Sequence, residues 1–445
     1  MTIRFLVDAW EDAEDDWPEI CKTTGPLRIL IGQRSLTRNE DDWSQSVKQT
    51  TRVSAYPLAQ WFAASWWRLM YEPLPPIGIK PSTSWRMAHE MTAAGFGFLW
   101  PRIVLAPDGE NLQIWSVPTR EDSEQPVRYL ADTGGIFRLK CFADAVDAFM
   151  DLVLNRLEAV GLSRSELRDV WTEIEEERAD PALKDFRRME AMLGFDPDEI
   201  DSGVVERFVE LRESIGNSAP DEIASACASG DPIARLDHIK HAAEMEGMPG
   251  KFSIPEIEDP AGRYRDRPPW VRGHELARAV RKAMGLNGQA ISDPELSAMA
   301  ELTPDQAFGE NPCSERMPLG VAIRTQGSQV KFVLRKRNPA GRRFELARLF
   351  CDHLLFGCDD NWLPATDTKT VRQKWQRAFA AEFLCPIDTL TEWLDNDFSE
   401  DSIENAAEHF GVSERTVTSQ LVNHGLLPAF MLDEGLGMEG FPYQI

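Results

Sequence analysis

Cysteines are few, and nothing in their placement points to chemistry. Seven lie scattered at positions 21, 141, 227, 313, 351, 358 and 385, with no CxxC spacing and an odd total. This excludes a zinc ribbon, argues against a disulfide framework and fits reduced, mostly buried thiols. No apolar run approaches the roughly 18 residues needed to cross a bilayer, and a basic-then-apolar leader pattern is missing. No membrane association is therefore expected, and the reading places the chain in the cytoplasm. Positive charge is also short. The 48 Lys and Arg against 73 Asp and Glu leave a net charge of −25, which works against a general nucleic-acid coat.

What is present is the composition of an ordinary globular protein, with 42% hydrophobic and 27% charged residues in a chain of 445. That length suggests about two to four domains, and the pattern of elements reads as an α+β multidomain fold. Residues 1–140 form a Trp-rich α+β domain holding nine of the 14 tryptophans, enough to build its core or to grip a partner. Strands are expected at 3–7, 27–31, 103–105, 112–117 and 127–130, and helices at 56–71 and 85–94, the latter broken by Gly95-Phe96-Gly97. His89-Glu90 opens like a zinc-peptidase motif, but Ala93 stands at the second His position; His89 is expected to be structural. Residues 141–246 read as a helical region and 247–269 as a linker rich in Pro and Gly. A domain at 270–395 follows, with a β-hairpin at 319–324 and 330–335, then a helix-turn-helix at 396–430 and a tail at 431–445.

Two amphipathic helices dominate the 270–395 stretch: RRFELARLFCDHLLFG, from Arg342 to Gly357, and WQRAFAAEFLCP, from Trp375 to Pro386. The first carries apolar residues at three- and four-residue steps and Gly357 where a C-cap belongs. This pair resembles the ImmA/IrrE family of metallopeptidases, whose helices typically read RFTLAHELGHLLLH and EAxxFAAELLMP. The resemblance rests on Arg343-Phe344, Leu346-Ala347, Leu354-Leu355, Phe379-Ala380-Ala381-Glu382, Leu384 and Pro386, and with the hairpin and tail it covers roughly the last 175 residues. It implies a zincin-like core followed by a helix-turn-helix.

The family chemistry needs two His four residues apart, a Glu beside the first as general base, and a third acidic ligand. The resemblance puts Arg348 and Asp352 at the His positions, Leu349 at the Glu position and Trp375 at the third ligand. Arg and Trp cannot hold zinc, and Leu cannot take a proton from water. A pseudo-peptidase is therefore expected, with no metal, no cofactor and no catalytic residue. Arg348 and Asp352, opposite charges at i and i+4, are expected to form an ion pair where the metal would sit. A metal site shifted onto His353 with Cys351 is disfavoured, because residues two apart on a helix face away from each other.

Residues 268–395 carry 17 Lys and Arg against 16 Asp and Glu, in contrast to the acidic remainder. Lys331, Arg335, Lys336, Arg337, Arg342 and Arg343 form one basic cluster, and Lys369, Arg372, Lys374 and Arg377 a second. Either these are solvated faces or they line a groove for an anion or nucleic acid. In the tail, Glu400, Asp401, Glu404, Glu408 and Glu414 face Arg415 alone, with Gln420 and Asn423 left as base-reading candidates; a protein contact is favoured there over DNA.

The leading expectation is a non-catalytic regulatory or interaction protein that has kept a partner-binding surface. The resemblance implies a setting in stress response, mobile elements or phage defence and a protein partner. The alternatives are a nucleic-acid-binding regulator that uses the basic clusters, and an enzyme whose site lies in the N-terminal domain.

Overall fold

A computed structural model describes residues 2–76, 79–228, 230–245, 247–258, 267–309, 317–325 and 327–428. The expected tail at 431–445, residues 259–266 of the expected linker, and Cys313 lie outside them. The fold mixes helix and strand, and the chain divides into two compact units, one of residues up to Pro75 with Ile79–Val205 and one running from Glu206.

The elements of the first unit are β1 (Ile3–Val7), α1 (Pro18–Lys22), β2 (Thr24–Ile31), β3 (Arg34–Ser35), β4 (Asn39–Asp41), β5 (Ser46–Lys48), β6 (Thr51–Ser54), α2 (Ala55–Ala64), α3 (Trp66–Tyr71) and α4 (Thr83–His89). They continue with β7 (Arg102–Pro107), β8 (Asn111–Val117), β9 (Val127–Tyr129), β10 (Thr133–Arg138), α5 (Leu139–Ala159), α6 (Glu166–Ala179) and α7 (Pro181–Met192). Three small antiparallel sheets result: β1-β2-β3 with β6 also on β2, then β10-β8-β7 and β5-β4-β9. In β2, Leu27, Ile29 and Ile31 point inward at alternate positions, as a half-buried strand requires.

Phe5 of β1 meets Phe62 of α2 at 5.1 Å and Phe149 of α5 at 5.6 Å, edge-on or tilted, the arrangement aromatic quadrupoles prefer. The tryptophans are mostly core: Trp61, Trp66, Trp67, Trp85 and Trp100 are buried, and Trp17 and Trp43 are exposed. His89 is wholly buried, with both ring nitrogens engaged by Leu105 O and Glu72. Helix α5 lays Phe142, Val146, Phe149, Met150 and Val153 onto the same core. These contacts put α5, which opens the stretch read as a helical region, within the first unit. The division between the units falls inside a later helix, after α7.

That helix is α8 (Ser202–Ile215), followed by α9 (Ala219–Cys227), α10 (Pro232–Met245), β11 (Met248–Gly250), α11 (Pro269–Ala283), α12 (Asp293–Ala298), α13 (Pro304–Phe308), β12 (Gly320–Arg324) and β13 (Val330–Val333). Then come α14 (Pro339–Phe356), β14 (Trp362–Ala365), α15 (Val371–Leu384), α16 (Ile387–Leu394), α17 (Glu400–Phe410) and α18 (Glu414–Asn423). The expected hairpin forms, with Val321 opposite Val333 and Ile323 opposite Lys331. It sits at the centre of a four-stranded antiparallel sheet, β11-β13-β12-β14. Its edge strand β11 comes from the stretch read as linker. Pro249 tolerates an edge position, where one side of the strand makes no ladder bonds.

Helices α14 and α15 bury Leu346, Leu349, Phe350, Phe379 and Phe383 against the hydrophobic core. Helix α11 lies against α15 so closely that a Cβ on Gly273 would stand 2.6 Å from the Trp375 carbonyl oxygen and 2.8 Å from Ala378 Cβ. Backbone cannot yield as a flexible side chain can. Gly273→Ala is therefore expected to destabilise the second unit by about 1–3 kcal/mol; a denaturant midpoint equal to the parent's would show that the two helices have room to separate.

Candidate functional site

The four positions that the resemblance assigns to metal chemistry converge on the α14–α15 interface, but not as the expected pair. Asp352 is fully buried, and its partner is Arg372, the second residue of α15. Arg372 donates from Nε to Asp352 Oδ1 at 2.8 Å and from Nη2 to Oδ2 at 2.6 Å, a bidentate fork. Gln376 Nε2 adds a third donor at 2.7 Å.

Arg348 turns elsewhere. Its Nη2 donates to Thr366 O and to Gln373 Oε1, and no carboxylate touches it. Thus the expected Arg348–Asp352 ion pair does not form. The physical reason is reach. An i, i+4 spacing brings two side chains to one face, but Arg372 presents its planar fork to the carboxylate from the facing helix.

The network runs further. Arg372 Nη1 donates to Asp360 Oδ2 at 2.6 Å and to Ser218 Oγ at 2.9 Å. Ser218 returns its backbone N–H to Asp360 Oδ1 at 3.0 Å and its hydroxyl to Oδ2 at 2.7 Å. The guanidinium also lies 4.2 Å over the Phe356 ring, a cation–π contact strengthened by desolvation. Asp360 is as deeply buried as Asp352, and Arg372 is only 3% exposed along its side chain. Burial works against the charge on Arg372, and Asp352 and Asp360 more than reverse it, raising its pKa above the usual guanidinium value.

Beside this clamp, Glu222 of α9 accepts from Thr370 Oγ1 at 2.8 Å and Gln373 Nε2 at 2.8 Å. Gln373 thereby joins Glu222 to Arg348. Burial raises the pKa of Glu222 from 4.5 to about 7, against the pull of Arg372.

Trp375, at the third-ligand position, is buried and carries Arg272 4.8 Å over its ring. Leu349 is core. Three polar atoms here, Arg348 Nε, Trp375 Nε1 and Gln376 Oε1, are buried without a protein partner. His353 stacks on Phe252 at 4.0 Å and binds Arg324 at 3.1 Å; it does not converge with Cys351 on a shared site.

The basic clusters are largely internal. Arg335 binds Glu345 and Asp367, and Arg342 donates to the carbonyls of Gly309 and Gln306. Arg343 reaches Asp293 and the carbonyls of Ile291 and Gly411, while Arg377 reaches Thr368 O at 2.5 Å. Lys374 is buried, Lys369 half-buried and engaged, Lys331 bonds Glu244 O at 3.3 Å, and Lys336 lies 3.6 Å from Asp367. Of the ten, Arg337 alone is fully exposed. Counting charges along the chain leaves a solvated face and an anion-binding groove both open; most of these side chains instead cross-brace helices and loops.

One group of possible metal ligands does converge among the described residues: His274 of α11, Glu382 of α15 and His424 after α18, with ligand atoms within 4.8 Å of one another. The arrangement fits a cation poorly. Glu382 already accepts from Arg278 Nε at 2.7 Å, Ile387 N at 3.1 Å and Gln420 Nε2 at 3.1 Å. The two imidazoles stack 9° from parallel at 5.1 Å, so their in-plane lone pairs cannot meet at one ion. Gln420, a base-reading candidate in the sequence, faces inward here.

Comparison of the chain with family models, curated proteins and solved structures finds no match.

Sequence reasoning missed Ser218, Glu222, Asp360, Gln373 and Gln376, which carry no motif. Glu222 supplies the test. An acid that holds its proton more tightly when folded stabilises fully below about pH 4.5 and loses that contribution as pH rises through about 7. The span is worth up to about 3 kcal/mol. The parent should therefore lose stability between about pH 5 and 8 relative to Glu222→Gln; parallel melting-temperature curves for the two would refute a buried neutral Glu222.

Proposed function

We propose that this protein is a non-catalytic regulatory or interaction protein, built on a metallopeptidase-like scaffold in which an internal ion network has replaced the metal. The observation that carries this reading is the Arg372 guanidinium, forked onto Asp352 and bonded to Asp360 at the interface where a zincin would hold its ion. A second cation beside that guanidinium would meet strong repulsion in a desolvated site. No general base stands at Leu349, and the residues present do not fit zinc.

The tail supports a protein partner over DNA. Helices α17 and α18 are joined by a tight turn with Gly411 at φ +62°, and their apolar stripe of Ile403, Ala406, Phe410, Val417 and Leu421 is buried. Glu400, Asp401, Glu404, Glu408 and Glu414 stay exposed. Such a face repels phosphate and suits a basic protein surface.

The reading is tested by offering zinc to the purified protein, dialysing, and measuring bound metal and proteolysis of unfolded protein substrates. We expect zinc well below one per chain and no cleavage above a metal-free control. Stoichiometric zinc lost on changing Asp352, or cleavage abolished by the same change, would overturn the proposal.

A further inference from the structure

The first unit contains a cavity of about 350 Å³ that none of the preceding reading uses, walled by α2, α3, α4 and the Ala93–Phe96 segment. Its size lies at the lower end of small-molecule pockets, ~300–1,000 Å³. Its apolar wall is held in place. Trp61 Nε1 donates to Met87 O at 2.8 Å, which satisfies the one polar atom of the indole and fixes the ring. Met87 and Phe96 stand at the lining although each is more than half exposed.

Phe96 is also strained. Its φ is +55°, between Gly95 at +65° and Gly97 at +77°. A bulky residue gains nothing from left-handed backbone unless its side chain is placed to advantage. Half exposed, the ring meets the exposed Trp17 edge-on at 6.4 Å, a contact that offsets little of that cost.

Polar groups lie at the same cavity with their bonding capacity unspent. Gln60 donates from Nε2 to Tyr56 Oη at 3.3 Å, but its Oε1 is buried and has no partner. Arg68, 2% exposed, uses Nε on Glu72 and Nη1 on Ser84 and Asp196; its Nη2 has no partner among the described residues.

The charges decide what kind of ligand fits. His89 Nδ1 lies 2.8 Å from Leu105 O, which can only accept, so Nδ1 carries a proton. Nε2 lies 2.9 Å from Glu72 Oε2, the oxygen that also accepts from Arg68 Nε. Besides its 2.7 Å bond to Glu72, Arg68 reaches Asp196. Their contact is 3.5 Å, long for a charge-assisted bond, and the Asp196 side chain is 50% exposed. The cavity therefore offers a guanidinium with Nη2 unspent, a half-exposed carboxylate and an aromatic wall.

We propose that this cavity binds a zwitterionic α-amino acid with a large apolar side chain. Its carboxylate takes Arg68, its ammonium takes Asp196, and its side chain lies against Trp61, Met87 and Phe96. The proposal is independent of the second unit and would give an interaction protein a metabolite to sense.

The test is isothermal titration of the full chain with L-phenylalanine and L-methionine, beside 3-phenylpropanoate, which lacks the ammonium, and phenethylamine, which lacks the carboxylate. We expect saturable binding of at least one of the amino acids, with both single-charge analogues weaker by about tenfold or more, because each leaves a site charge unanswered. Asp196→Asn should weaken binding by a similar factor. Phe96→Gly should weaken it while leaving the melting temperature unchanged or higher, which separates lost binding from lost folding. No saturable binding of either amino acid, analogues that bind as well as their parent, or binding unchanged in both variants would overturn the proposal.

Discussion

The Arg372 guanidinium is the constraint on which the second unit turns. Its Nε, Nη1 and Nη2 reach Asp352 on α14, Asp360 ahead of β14, and Ser218 at the start of α9. Three segments, one of them 154 residues away, are thus tied to α15 through one side chain. Removing a charge from such a site costs more than the bond itself, because a buried partner is left unanswered. Charge placement, more than apolar packing alone, therefore fixes how these elements meet. The same logic recurs at Arg335 with Glu345 and Asp367 and at Arg343 with Asp293.

The first unit rests on a different balance. Its core is aromatic, with Phe5, Phe62, Phe142 and Phe149 in edge-on or tilted contact and most of the tryptophans buried around them. Its buried charges are fewer, and the group formed by Arg68, Glu72, His89 and Asp196 reaches the cavity beside Trp61. Among the described residues no helix of either unit is long and apolar enough to cross a membrane.

Periodicity carried the sequence reading where one face of an element is apolar. The hairpin of β12 and β13, strands β1, β2 and β8, and helices α5 and α14 were legible for that reason. Helix 56–71 divides at Ser65, because Ser65 caps the end of α2 and α3 begins after it. β11 was read as linker, since a three-residue edge strand containing Pro249 has no pattern to find. The site was legible in position and not in pairing. Arg348, Asp352 and Trp375 do meet at the α14–α15 interface, but spacing along one helix cannot reveal that a fork from the next helix takes the carboxylate. Likewise, a run such as Arg335 to Arg343 records how many cations there are and not which way they point; carbonyls of Pro318, Gln306 and Gly309 claim several of them.

The central claim is that Asp352 is neutralised across the interface by Arg372 and not along its own helix by Arg348. A pair of double-mutant cycles on chemical denaturation measures this directly, combining Asp352→Asn with Arg372→Met in one and with Arg348→Met in the other. The account predicts a coupling of about 2 kcal/mol or more between Asp352 and Arg372, and a much smaller one between Asp352 and Arg348. Coupling concentrated in the Asp352–Arg348 cycle, or absent from the Asp352–Arg372 cycle, would contradict it.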